Sequence, residues 1–105
     1  MAYTDLSVTQ FAEKLKEENY QLIDARTASE VSGGRIEGAI NIDVYDPKFM
    51  EKIAELPKDK MTLVYCLSGG RSGMACSMLE RQGVSEIYNL SGGMGSWKTN
   101  QGPVV

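Results

Sequence analysis

The sequence predicts a single α/β domain spanning residues 1–105, with a mostly parallel sheet covered by helices on both faces. Three observations carry that prediction. Short apolar runs alternate with amphipathic stretches along all 105 residues, the pattern of parallel strands joined by helical crossovers. No linker, repeat or low-complexity segment interrupts the alternation. Met61 to Tyr65 (MTLVY) is apolar almost throughout, as a central parallel strand buried on two sides must be.

Each element has its own local reason. Ser7 and Gln10 form a capping-box pattern; Val8, Phe11, Ala12 and Leu15 then share one helical face, opposite Glu13, Lys14, Lys16 and Glu17. Gln21 to Ala25 reads as a buried strand and Gly38 to Ile42 as another short one. Asp46-Pro47 supplies an N-cap and a first helical residue for a stripe of Phe49, Met50, Ile53 and Leu56, which Pro57 ends. After Met61 to Tyr65 a helix runs from about Arg71 to Gln82, with Ala75, Met78 and Leu79 inward and Gly83 at the C′ position. Ile87 to Leu90 is the next strand. A Gly92-Gly93 turn follows, then a short helix with Trp97 as its packing anchor.

Composition excludes several function classes. The net charge is −3 and no basic block occurs, which argues against a nucleic-acid partner because phosphate binding needs a basic face. The N-terminus shows no basic n-region and no long apolar run, so neither a signal peptide nor a membrane span is expected, and the cytoplasm is the expected compartment. Two cysteines and no histidine remove the usual zinc patterns and every Cys-His or Ser-His mechanism. No metal or cofactor is expected. Whatever activates a cysteine here must be backbone, arginine or a carboxylate.

The candidate site is Cys66-Leu67-Ser68-Gly69-Gly70-Arg71-Ser72, at the carboxyl end of the central strand. Open parallel sheets bind ligands there, where loops lead into helix N-termini. The N–H groups from Leu67 to Ser72 are placed to converge above the sulfur as an anion-binding nest, favouring thiolate over thiol. Gly69 and Gly70 leave no side chain in the bowl and tolerate positive φ. Arg71 either reaches into the bowl or pins the loop by an ion pair, the second role being favoured. Asp24 and Arg26 are expected chiefly as a structural ion pair, with Glu30 treated alike. Cys76 and the methionines Met50, Met74 and Met78 are expected as packing. The whole reading requires amide hydrogens converging on a solvent-reachable Sγ.

Four ordered stretches make the chain resemble the rhodanese family of single-domain sulfurtransferases: Leu22-Ile23-Asp24-Ala25-Arg26 with Glu30; Gly34-Arg35-Ile36-Glu37-Gly38-Ala39-Ile40-Asn41; Cys66 to Ser72; and Leu90 to Trp97. The resemblance implies a five-stranded parallel sheet flanked by helices. It also implies that Cys66 carries sulfur as a persulfide, held by the N–H groups of Leu67 to Ser72, between a small anionic donor such as thiosulfate and a cyanide or thiol acceptor, which includes a partner protein. Arg35 stands where the family usually has histidine, so packing or hydrogen bonding is expected to differ there. Met94 is expected, on the resemblance alone, to line the acceptor entrance. Cysteine phosphatases and arsenate reductases share the cysteine-to-arginine anion loop, but theirs holds one residue more than the Leu67, Ser68, Gly69 and Gly70 found between Cys66 and Arg71. A binding module without catalysis ranks below both, since Cys66 is present.

Overall fold

The computed structural model describes residues 3–105. Its elements run β1 (Tyr3–Leu6), α1 (Val8–Lys14), β2 (Tyr20–Asp24), α2 (Ala28–Ser32), β3 (Ile40–Asn41), α3 (Phe49–Ala54), β4 (Met61–Tyr65), α4 (Gly70–Arg81), β5 (Ile87–Leu90) and α5 (Gly93–Thr99). The five strands form one sheet in the order β1-β5-β4-β2-β3, and every neighbouring pair is parallel. This is the predicted α/β architecture with the five strands that the resemblance implied.

Strand periodicity divides the core into two layers. Along β2 and β4, Leu22, Leu63 and Tyr65 face one layer with Phe11, Met94 and Trp97, whereas Ile23, Val64 and Cys66 face the other with Ile53, Ala75, Cys76 and Leu79. All five residues of β4 are buried, so both layers close over the strand that delivers Cys66. Burying each such Leu or Ile contributes roughly 1.5–3 kcal/mol before entropy is charged against it. Trp97 is the expected anchor: its ring meets Phe11 edge-on at 6.4 Å and its Nε1 donates to the Pro103 carbonyl at 2.8 Å. Among the described residues no helix is long and apolar enough to cross a membrane.

Several boundaries differ from expectation for identifiable reasons. β1 was not legible in residue pattern, because it is an edge strand with only Leu6 buried. α2 has no buried residue and so no apolar stripe; it is held by a Thr27–Glu30 capping box, a signal present in the sequence. The expected strand from Gly38 to Ile42 shrinks to Ile40–Asn41, since Gly38 takes φ +85° and Ala39 closes a turn onto Ile36. α3 starts at Phe49, not at Pro47: the Asp46 carboxylate accepts the Lys48 N–H at 2.8 Å in a turn of its own. Met50 and Met74, expected as packing, are 40% and 42% exposed, lying beside the inward stripes of Phe49-Ile53 and Ala75-Leu79.

Candidate active site

β4 ends at Tyr65 and Cys66 follows as the floor of the loop. Gly69 takes φ +105°, a left-handed conformation open to glycine, and this aims its N–H back at Cys66 Sγ, 3.0 Å away. The Ser72 hydroxyl, on the first turn of α4, lies 3.3 Å from the same sulfur. Burial pushes the thiol pKa up; the hydrogen bonds of the Ser72 side chain and of the Ser72, Gly69 and Ser68 N–H groups outweigh it, leaving the pKa below that of an ordinary cysteine.

A second element fixes which way the loop peptides face. The Met94 N–H donates to the Cys66 carbonyl at 2.8 Å and the Gly95 N–H to the Leu67 carbonyl at 3.0 Å. With those oxygens bound by the start of α5, the loop is free to turn N–H groups toward the sulfur. Gly93 permits the contact: it takes φ +55°, and a Cβ there would sit 2.5 Å from the Cys66 oxygen. Sequence reasoning missed this bracing role, for which the only signal was the Gly92-Gly93 pair. It also missed Asn89, a buried amide in the apolar run of β5, whose Nδ2 donates to Asp5 Oδ1 at 2.9 Å and to the Gly69 carbonyl at 3.4 Å. A polar residue inside an apolar strand was the available clue.

The remaining predicted residues sort clearly. Arg71 makes a two-pronged pair with Glu30, at 2.7 and 2.8 Å, which is the pinning geometry. The guanidinium holds the Glu30 carboxyl down at about 2, against the opposing effect of burial, while Glu30 pushes Arg71 up. Asp24 and Arg26 form a buried pair through Nε at 3.0 Å and Nη2 at 2.8 Å; Nη2 also donates to the Gly34 carbonyl, and the guanidinium lies over the Tyr65 ring. Tyr65 in turn accepts the Ile36 N–H at 3.0 Å. This network ties β2, β4 and the 34–36 segment together, and among the described residues no hydrogen bond joins it to the Cys66 loop.

Arg35 is exposed, and its backbone exchanges two hydrogen bonds with Val105. Two expectations need correction. Met94 is 1% exposed and packs with Trp97, so it lines no entrance. Cys66 is 0% exposed, packed in the core layer with its donors at Gly69 and Ser72 against the sulfur. The peptide groups do turn inward as required; the open sulfur does not hold in this conformation, although Leu67 and Ser68 beside it are exposed. Cys76 is also 0% exposed, and burial drives its thiol strongly up, consistent with packing.

Residues 7–100 match the family model described as the rhodanese-like domain. The chain belongs to the rhodanese-like family. A protein named sulfurtransferase from Allochromatium vinosum is 35% identical over 84% of this chain and 80% of its own length. The thiosulfate sulfurtransferase GlpE of Pseudomonas fluorescens is 32% identical over 84% of the chain and 79% of its own. Among solved structures, a rhodanese-related protein from Thermoplasma volcanium superposes with a TM-score of 0.85 at 31% identity, covering 98% of both chains. In this rhodanese-like protein the family match takes in all of the Cys66 loop, the Glu30 brace and the α5 turn.

Proposed function

We propose that the protein moves sulfane sulfur from a small anionic donor such as thiosulfate to a thiol or cyanide through a persulfide on Cys66. The observation that carries this reading is the convergence of the Gly69 N–H and the Ser72 hydroxyl on a sulfur whose pKa is lowered. Only a thiolate attacks another sulfur at a useful rate. In the first step the Cys66 thiolate bonds to the outer sulfur of the donor, the donor S–S bond breaks, and its electron pair leaves on sulfite. In the second, the acceptor bonds to that outer sulfur, the Cys66 S–S bond breaks, and its pair returns to Sγ. The scheme is ping-pong and balances without metal, nucleotide or redox partner.

The loop's electrostatics suit a single sulfur. Arg71 is already neutralised by Glu30, so donor charge is met chiefly by backbone N–H groups at the start of α4. In a transfer assay with thiosulfate and cyanide, thiocyanate forms in the parent protein and not in Cys66→Ser. Undiminished transfer by that variant would end the proposal. No particular observation favours the phosphatase reading, whose loop holds one residue more.

A further inference from the structure

The Ser72 hydroxyl has one proton and two acceptors. Its oxygen lies 3.3 Å from Cys66 Sγ and also 3.3 Å from the Gly69 carbonyl oxygen, and the residue is 0% exposed, so water does not share it. Its single proton makes a straight, full-strength bond to only one of them at a time. The two acceptors are not equally placed. The Gly69 carbonyl also receives the Gly73 N–H at 3.0 Å and Asn89 Nδ2 at 3.4 Å. It stays satisfied when the hydroxyl turns away. The Asn89 amide holds this arrangement: its Nδ2 faces two oxygens, Asp5 Oδ1 and the Gly69 carbonyl, so the reversed amide would set oxygen against oxygen.

We propose that the Ser72 hydroxyl is a two-position donor: it points at the Gly69 carbonyl while Cys66 Sγ is uncharged, and turns onto Sγ whenever that sulfur holds negative charge. The proposal rests on the persulfide reading above and adds a catalytic group to its second step. As the acceptor bonds to the outer sulfur, the Sγ–S bond breaks and its electron pair arrives on Sγ; the hydroxyl rotates to meet that charge. No proton leaves Ser72. The donor oxygen is already 3.3 Å from Sγ and needs only a bond rotation to meet the developing charge. Other ionisable groups acting on this sulfur are Arg71, held by Glu30 of α2, and Cys76, two turns along α4; Asp5 of β1 and Glu80 act on Cys76.

Ser72→Ala and Ser72→Thr in the full chain test this. Alanine is the better helix former, so the first variant keeps α4. The Cys66 titration is read from thiolate ultraviolet absorbance against pH, with Cys66→Ser as the blank. Ser72→Ala raises the pKa by about one to two units, the worth of a hydrogen bond to a charged group, and Ser72→Thr restores it. Protein preloaded from thiosulfate is then mixed with cyanide above both pKa values; the alanine variant turns over roughly tenfold more slowly and the threonine variant recovers. A parent-like value in either measurement for Ser72→Ala, or a threonine variant no better than alanine, overturns the proposal. The titration needs no sulfur donor. A pKa shift in a protein that takes up no sulfur would therefore defeat the transferase reading and leave the hydroxyl switch standing.

Discussion

Cys66 and Cys76 sit in the same core layer, both 0% exposed and both pushed up by burial, yet hydrogen bonds bring only Cys66 below an ordinary thiol. Cys66 is at a strand end where Gly69, Ser72 and Ser68 donate to it, so the thiol titrates low; Cys76, inside α4, has burial and the nearby Asp5 charge, and titrates high. Reaction with a thiosulfate or alkylating probe should accordingly rise with pH and level off below the pH at which a free cysteine does, with modification mapped to Cys66 alone. A plateau at or above the free-cysteine pH, or equal labelling of Cys76, would contradict this. Gly93 makes a second residue-scale prediction. Gly93→Ala forces a Cβ into the Cys66 carbonyl at positive φ, costing about 1–3 kcal/mol of strain and displacing the loop. Thermal melting reads the first effect and loss of the low thiol pKa the second.

Two ion pairs act at the scale of elements, and they differ in kind. Arg71–Glu30 joins α4 to α2 with side chains 18% and 30% exposed, so solvent screens it and its worth is about 1 kcal/mol. The Glu30 carboxyl titrates at about 2 in the fold against an ordinary 4.5. A depressed carboxyl stabilises the fold above its unfolded pKa and loses that contribution as pH falls through the folded one. Glu30→Gln should therefore lower the melting temperature by roughly 4–8 °C at neutral pH, with the difference from the parent shrinking as the pH drops from 4.5 toward 2. Asp24–Arg26 is buried, and removing one partner strands the other. Arg26→Ala should cost about 3–5 kcal/mol in urea unfolding, more than the Asp24→Asn, Arg26→Ala double variant. Equal losses in the two would deny the stranded charge.

For the whole molecule, residues 1–105 are taken as one domain, and the contacts suggest how it would unfold. Trp97 packs in one layer and Cys66 in the other, but α5 carries Trp97 and also holds the Cys66 and Leu67 carbonyls through Met94 and Gly95. Trp97 fluorescence and Cys66 protection should thus be lost in a single coincident transition. The parallel sheet, its central strand and the position of the Cys66 loop after that strand were legible because apolar period and turn residues are local signals. β4 reads as buried from MTLVY alone, and Gly69-Gly70 announces the turn. What stayed hidden depends on distant residues: β1 shows no pattern because three of its four residues are not buried, and the brace from Met94 to Cys66 joins positions that nothing local connects. The closed sulfur was hidden for a related reason. Spacing places donors near a thiol, but only packing decides that they cover it.

The central claim is that Cys66 accepts and surrenders one sulfur atom. Intact-mass measurement of the protein after exposure to thiosulfate, with peptide mapping and a second reading after a thiol reductant, tests it most directly. The account predicts a gain of about 32 Da on the peptide holding Cys66, absent in Cys66→Ser and removed by the reductant, as a covalent intermediate requires. An unchanged mass under every donor, or a gain that survives in Cys66→Ser, would contradict it.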